Sequence, residues 1–313
     1  MADGIVFSIP MTHRFRGITN REGMLIRGSV SWAEWSPFPE YSVPEASRWL
    51  LAARQAADHE WPCPVRTSIP VNVTIPAVDP DTAHTMTRES RCGTAKVKVA
   101  EPGQTLAEDC ARVEAVRDAL GPDGRIRVDA NGAWDLDQAE KALRELGRFD
   151  LEYAEQPCAC VDDLAVLRKR TSVLIAADES IRKAEDPYLV KSLEAADVIV
   201  LKVQPLGGVR ACLRLAEDLG IPVVVSSALE TSVGLRAGLA LAAALPELPY
   251  ACGLNTASLL SHDLVSDPLV AVNGVIEVRE VHLNLPSMDP VSTHSDWRSR
   301  LEQCESYCVE MEQ

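Results

Sequence analysis

The stretch Thr94-Ala95-Lys96-Val97-Lys98-Val99 reads as a β-strand carrying two lysines on one face, because strand side chains alternate and Lys96 and Lys98 are two residues apart. A charge on the inward face of a strand is costly unless something compensates it. Four more segments pose the same question. Asp129-Ala130-Asn131, Glu155-Gln156-Pro157, Asp178-Glu179-Ser180 and Lys202-Val203-Gln204 each place a charge where an apolar strand pattern gives way to a loop. Counted from Lys98, the steps are 31, 26, 23 and 24 residues. About 25 residues is what one strand, one helix and two short loops occupy. If every charge caps one strand of a closed ring, all five meet at one end of it.

Working outward, residues 66–75, 94–99, 125–129, 151–155, 173–178, 198–203, 222–226 and 250–254 have strand composition. Helical patterns lie between them. Thr105 and Glu108 form a capping box ahead of Leu106, Cys110, Val113, Val116 and Leu120, which share a helical face up to the stop at Gly121-Pro122. Residues 137–146 form a helix ended by Gly147, another precedes Gly220, and an Ala/Leu-rich one spans about 231–245. The predicted fold class is α/β, a (β/α)7β TIM-like barrel. A doubly wound open sheet is the structural rival, but the glycine fingerprint that usually follows its first strand is missing.

Both ends of the chain lack this alternation. Residues 5–9 and 23–30 read as strands joined by a polar connector, 12–22, and Ser42-Val43-Pro44-Glu45 opens a helix through Trp49, Leu50, Leu51 and Ala56. Residues 269–272 and 275–278 flank Asn273-Gly274 as a hairpin, before a polar, acidic tail. The expected organisation is an α+β capping domain formed by N- and C-terminal segments. Residues 1–62 would give its first part, 63–262 the catalytic barrel, and 263–313 the segment returning to the cap.

The bulk properties narrow the partners. With 313 residues, 46% apolar and 25% charged, the chain has the composition of a globular protein with a large core. A net charge of −15 argues against nucleic acid and anionic membranes as partners. The longest apolar run, 235–245, is too short to span a bilayer and reads as a buried helix. Met1-Ala2-Asp3-Gly4 lacks the basic start of a signal peptide. The nine cysteines include Cys158 and Cys160 as C-x-C and Cys304 and Cys308 four apart, but no C-x-x-C pair. Reduced, mostly buried thiols in a cytoplasmic protein are the expectation.

Taken singly, a strand-end Asp is a loop cap, a Lys a surface charge and E-Q-P a turn. Their common register with strand ends reverses that reading. Asp129, Glu155 and Asp178 come from three successive strands. Three hard oxygen ligands with no histidine or cysteine nearby favour Mg²⁺, or Mn²⁺, over zinc. A divalent ion can hold a substrate carboxylate while the adjacent carbon loses its proton. Lys98 and Lys202 flank the three carboxylates in strand order, and a lysine can act as base once burial, Lys96 and the cation depress its pKa. The expected partner is therefore a small-molecule carboxylate. Ser226 and Ser227 end the seventh strand and Gly253 the eighth, which makes them candidates for substrate contact.

The ordered set K-x-K, D-A-N, E-Q-P, D-E-S and L-K resembles the enolase superfamily, in its muconate-lactonizing subgroup. The resemblance covers nearly the whole chain. It implies a metal-assisted proton abstraction beside a carboxylate, with a lysine base. Gly17 to Gly23, Trp35-Ser36-Pro37-Phe38 and the run from Ser226 to Gly234 are similar to the subgroup's dehydratases of menaquinone biosynthesis, which aromatise a succinyl-bearing cyclohexadiene carboxylate. By that likeness Lys98 would take the α-proton and then protonate the departing hydroxyl. Lys202 would stabilise the enediolate, and Lys96 would bias the pKa of Lys98 and contact the carboxylate. Asn131 and Glu179 would orient ligands or lysines. Arg14, Arg16 or Arg21, in or beside the cap connector, could meet the succinyl carboxylate, although a solvated loop arginine is the ordinary reading of each. Racemisation or epimerisation of N-acylamino acids or dipeptides would use the same two lysines. A lysine Schiff-base enzyme and a non-catalytic binding protein on the same fold are the other rivals.

Overall fold

A computed structural model of the chain describes residues 4–284 and 294–311. The cap begins with an antiparallel sheet of β1 (Gly4–Phe15), β2 (Ile18–Arg27) and β3 (Trp32–Trp35). Helix α1 (Val43–Asp58) follows, its Glu45 carboxylate accepting from both the backbone N–H and the hydroxyl of Ser42 at 2.9 and 2.8 Å. The barrel elements are β4 (Ser68–Pro70), β5 (Val73–Ile75), α2 (Pro80–Ser90), β6 (Thr94–Lys98), α3 (Leu106–Leu120), β7 (Arg125–Asp129), α4 (Leu136–Leu146), β8 (Leu151–Glu155), α5 (Val161–Arg170) and β9 (Ile175–Ala177). They continue with the short α6 (Glu179–Arg182) and α7 (Leu189–Ser192), then β10 (Val198–Leu201), α8 (Val209–Leu219), β11 (Val223–Val225) and α9 (Ser232–Ala244). Strand β12 (Val275–Glu277) and helix α10 (His294–Met311) complete the described chain.

Strands β5 to β11 form one parallel sheet in sequence order. The eighth position is filled by extended chain rather than by a regular strand. Gly253 N–H donates to Val225 and Ser227 N–H to Gly253 on one side, both at 2.9 Å, while Cys252 N–H donates to Pro70 at 2.7 Å and Asn72 N–H to Cys252 at 3.0 Å on the other. The two edges of the sheet are thereby joined and the ring closes, which excludes the open doubly wound sheet. A Cβ on Gly253 would stand 2.5 Å from the Ser226 hydroxyl, so a larger residue at this crossing would have to displace that side chain.

Several details differ from the sequence reading. Residues 66–75 are not one strand: β4 leaves the barrel to pair antiparallel with β12, and only β5 joins the parallel sheet. Asn273-Gly274 does make a tight turn, with both residues at positive φ, but 269–272 touches 275–278 only through Val272 and Val275. The polar connector 12–22 is a continuation of β1 and β2, turning at Arg16-Gly17. Helix α2 was not anticipated from its residues. Its signals are Asp79, whose side chain caps Thr82 N–H at 2.9 Å, and Pro80 in the first turn.

The cap core gathers residues from both ends of the chain. Trp297 of α10 meets Trp35 edge-on at 5.4 Å, and Leu301, Cys304 and Cys308 bury against the α1 side. Arg300 of α10 donates to the carbonyls of Pro37, Phe38 and Tyr41 at 3.1, 2.8 and 3.0 Å, pinning the segment that faces the barrel mouth. All nine cysteines are free thiols, with Cys63 and Cys160 exposed and the rest buried. Among the described residues no helix is long and apolar enough to cross a membrane.

A buried polar joint ties the cap to the loop after β11. Glu34 accepts from Ser36 Oγ at 2.6 Å, and from Thr231 N and Oγ1 at 3.0 and 2.5 Å. Burial pushes its carboxyl up from 4.5 to about 7, against the pull of Arg21 and these hydrogen bonds. Between those two values the folded protein holds a proton that the unfolded chain has released. Stability therefore falls as pH rises through this window, by up to about 3 kcal/mol from this group, and is flat in it above. Glu34→Gln is expected to lose less stability than wild type between about pH 5 and about pH 7.5, as read from urea unfolding midpoints.

Candidate active site

The barrel register determines where the charges lie. Lys98 pairs with Asp129, and Asp129 with Glu155, at the C-terminal ends of β6, β7 and β8. Asp178 and Lys202 directly follow β9 and β10. Counting β5 as the first strand, Lys98 ends the second and Lys202 follows the sixth, on opposite walls of an eight-membered ring, with the three carboxylates between them. All five side chains are buried, as is Lys96. Lys96, Lys98, Asp129 and Lys202 line a cleft of about 520 Å³, a volume that includes its open mouth.

The cations and carboxylates pair closely. Lys96 Nζ donates to both Glu155 oxygens at 3.0 and 2.9 Å and lies 3.4 Å from Asp129. Lys98 Nζ donates to Asp129 Oδ2 at 2.6 Å and to Asn131 Oδ1 at 2.5 Å. Lys202 Nζ donates to Asp178 Oδ2 at 2.5 Å. Burial opposes ionisation of Asp129, but Lys98, Lys96 and Lys202 outweigh it and hold the carboxyl well below the usual range. Asp178 behaves likewise under Arg182 and Lys202. Burial lowers the Lys98 ammonium and Lys96 lowers it further, against the opposing pull of Asp129. Lys96 moves the other way: Glu155 and Asp129 overcome its burial and raise it above its ordinary value. Of the two neighbours, Lys98 is the one whose surroundings favour losing its proton.

Glu155 is the acid short of positive charge. Burial, then Asp129 and Asp178, push its carboxyl up to about 7 in spite of Lys96. Asp129, Glu155 and Asp178 offer only oxygen donors, the chemistry a hard divalent cation prefers. Among the described residues no three acidic, histidine or cysteine side chains are grouped to hold one ion, because each carboxylate is engaged by an ammonium or guanidinium group instead.

The supporting residues divide in ways the sequence showed only in part. Asn131, at φ 49°, accepts from Lys98 and donates to Glu179 Oε1 at 3.2 Å, linking Lys98 to Glu179. Gln156 accepts from the backbone N–H of Asp178 and Ser180 at 2.9 and 3.1 Å, fixing the Asp178 loop. Arg182, one helical turn beyond Asp178, donates to Asp178 at 2.9 Å, to Glu179 at 2.5 Å and to Tyr41 of the cap at 2.9 Å. Its i,i+4 spacing from Asp178 was the available signal. Ser226 and Ser227 line the cleft, whereas Gly253 only closes the ring behind Ser226. The cap supplies Phe15, Arg16, Phe38 and Tyr41 to the same cleft. Arg21 is not solvated and does not line the cleft. It is wholly buried, donating to Leu229 O at 2.8 Å, to Ser36 Oγ at 2.7 Å and to the Ser36 carbonyl. Arg14 does not line the cleft.

Comparison with known proteins agrees with this architecture. Residues 6–57 match the enolase N-terminal domain-like family and residues 80–282 the enolase C-terminal domain-like family. Among solved structures, the muconate lactonizing enzyme of Pseudomonas fluorescens superposes with a TM-score of 0.77 at 22% identity, over 91% of this chain and 96% of that one. A dipeptide epimerase of Enterococcus faecalis reaches 0.74 at 20% identity, over 90% and 96%. At such identities the likeness is one of fold. The chain belongs to the enolase superfamily, and with that membership comes the use of a divalent metal ion. Its relatives at high identity carry one name. The o-succinylbenzoate synthase of Thermobifida fusca is 62% identical over 299 residues, covering 95% of this chain and 94% of that protein. The o-succinylbenzoate synthase of Mycolicibacterium smegmatis is 52% identical over 275 residues, covering 87% and 84%.

Proposed function

We propose that this chain is a cytoplasmic, Mg²⁺-dependent o-succinylbenzoate synthase. It dehydrates 2-succinyl-6-hydroxy-2,4-cyclohexadiene-1-carboxylate to 2-succinylbenzoate, a step of menaquinone biosynthesis. The observation that carries this reading is a pair of buried lysines on opposite walls of one cleft, in a chain 62% identical to a relative of that name. Asp129, Glu155 and Asp178 would hold the ion; Mn²⁺ has the same ligand preference. When bound, the ion supplies a positive charge for the substrate carboxylate, which gains negative charge as the neighbouring carbon is deprotonated.

The chain's own groups do the proton work. Lys98, neutral and aligned by Asn131, takes the α-proton, and the electron pair passes into the carboxylate as an enediolate. Lys202, charged and held by Asp178, faces that charge from the opposite wall. The electrons then return to the ring as the C–O bond breaks, and the ammonium of Lys98 gives its proton to the leaving hydroxyl, releasing water on the face from which the proton came. Aromatisation drives this second half. Lys96, fixed by Glu155, keeps a positive charge beside Lys98 and favours its neutral form.

Incubation with the cyclohexadiene substrate and Mg²⁺ is expected to give the aromatic product, followed by its ultraviolet absorbance. No product, together with deuterium exchange at the α-carbon of an N-acylamino acid, would overturn this reading.

A further inference from the structure

Lys98 is the last residue of β6, and the sheet pairs it on one edge only. On the β7 side it lies opposite Asp129, whose carbonyl accepts from Val99 N–H at 3.1 Å. On the β5 side the paired residues end at Ile75 opposite Val97, and Pro76, which has no N–H, follows. The Lys98 carbonyl is satisfied instead by a helix: Arg112 of α3 donates to it from Nη1 at 2.9 Å.

Arg112 and Asp109 form a buried ion pair three residues apart on α3. Arg112 Nε donates to the Val78 carbonyl, just past β5, at 2.7 Å, and Nη2 donates to Gln104 Oε1. Nη1 also reaches Asp109 Oδ1 at 2.9 Å. The other carboxylate oxygen, Oδ2, accepts from the backbone N–H of Ala100 at 2.9 Å. Ala100 stands at φ 59°. An alanine in the left-handed region is strained by its Cβ, and it persists there only where its surroundings fix it. Both oxygens of Asp109 are thus committed, one to the arginine that holds Lys98 and the other to the turn that follows it. A buried ion pair adds little stability over apolar packing of the same volume, so stability alone is a weak reason for this one.

We propose that Arg112 and Asp109 are positioning residues for the base. They lie outside the cleft, and by fixing the Lys98 carbonyl and the Ala100 turn they set where the Lys98 side chain leaves the end of β6. This inference rests on the dehydratase reading and extends it from the reacting groups to the layer behind them.

The test measures kcat and KM for dehydration in Asp109→Asn, Ala100→Gly, the double variant and Ala100→Val. Asparagine has the same shape but a single oxygen, so it turns an NH₂ group toward either Arg112 or the Ala100 N–H. In Asp109→Asn kcat is expected to fall about 10- to 100-fold, the effect of a small displacement of a reacting group, with KM changed less than about threefold. Glycine takes a left-handed φ without strain. Ala100→Gly is therefore expected to stay within about twofold of wild type by itself, and to restore kcat at least about fivefold when added to Asp109→Asn. A purely structural role would lower the urea unfolding midpoint and leave the kcat of the folded enzyme unchanged. Ala100→Val keeps the ion pair but puts a β-branched residue at positive φ, and it is expected to lower kcat in the same way, whether or not Asp109→Asn folds. Unchanged kcat in Ala100→Val or in folded Asp109→Asn, or a loss that glycine does not recover, overturns the assignment while the dehydratase reading stands. If wild type forms no aromatic product, that reading fails and takes the assignment with it.

Discussion

Lys98→Arg is expected to fold and to be inactive, with kcat lowered at least about 10³-fold, whereas Lys202→Arg should retain measurable turnover. The asymmetry follows from what each ammonium is asked to do. Arginine stays charged at any accessible pH, so it can keep an ion pair with Asp129 or Asp178 but cannot take a proton. The Lys98 position needs a group that can be neutral. Its burial and the adjacent Lys96 favour that form, and Asn131 aligns the nitrogen at 2.5 Å. The Lys202 position needs only a cation facing the enediolate, and Asp178 supplies the partner to hold one. Both alanine variants should be inactive, which makes them less informative than the arginines. Steady-state turnover and α-proton exchange in deuterated water measure the effect. In a racemase both lysines alternate as base and acid, so comparable inactivation by the two arginine substitutions would favour that chemistry instead. Wild-type behaviour of both would favour a binding protein.

The sequence revealed the barrel because its helices and strands alternate with little interruption, and because charged strand ends recur at the length of one β/α unit. Lys98, Asp129, Glu155, Asp178 and Lys202 were legible for the same reason: an ionisable group at the end of an apolar strand has few structural uses. What was not legible depended on contacts distant in the chain. Residues 66–75 look like one strand until β12 draws away their first half. Residues 12–22 look like a loop because most of their side chains are polar, yet 15, 18 and 20–22 pair across the hairpin on either side of an irregularity between Pro10 and Phe15. Arg21 looked accessible from its polar neighbours, yet Leu229, more than two hundred residues later, accepts its Nε–H. Phe15, Phe38 and Tyr41 carry no local sign that they cover a barrel mouth; that follows from how α10 and α1 fix the cap.

Chelation of divalent metal is expected to abolish turnover while leaving the protein folded, with activity restored by added Mg²⁺. A cluster of three buried carboxylates would ordinarily destabilise a metal-free barrel. Here Asp129 and Asp178 have cationic partners within 2.6 and 2.5 Å, so their charge is largely answered without the ion. Glu155 also has a cationic partner, Lys96 at 2.9 Å, yet burial and its acidic neighbours push it up to about 7. Three consequences can be measured separately. Saturating Mg²⁺ should raise stability by roughly 3 kcal/mol at about a hundred times its Kd, seen in urea unfolding. Apparent metal affinity should fall by up to about tenfold per unit as pH drops below about 7, because the ion must then displace the Glu155 proton. The substitutions should also differ in what they do to the metal-free protein. Glu155→Gln takes the main counter-charge from Lys96 but leaves it Asp129 at 3.4 Å and an amide acceptor, so it should cost less stability than Asp178→Asn while erasing the Mg²⁺-induced gain. Asp178→Asn should erase the gain and also cost about 3–5 kcal/mol, because it leaves Arg182 and Lys202 buried without their shared carboxylate. Metal-induced stabilisation that persisted in Glu155→Gln would place the ion elsewhere in the molecule.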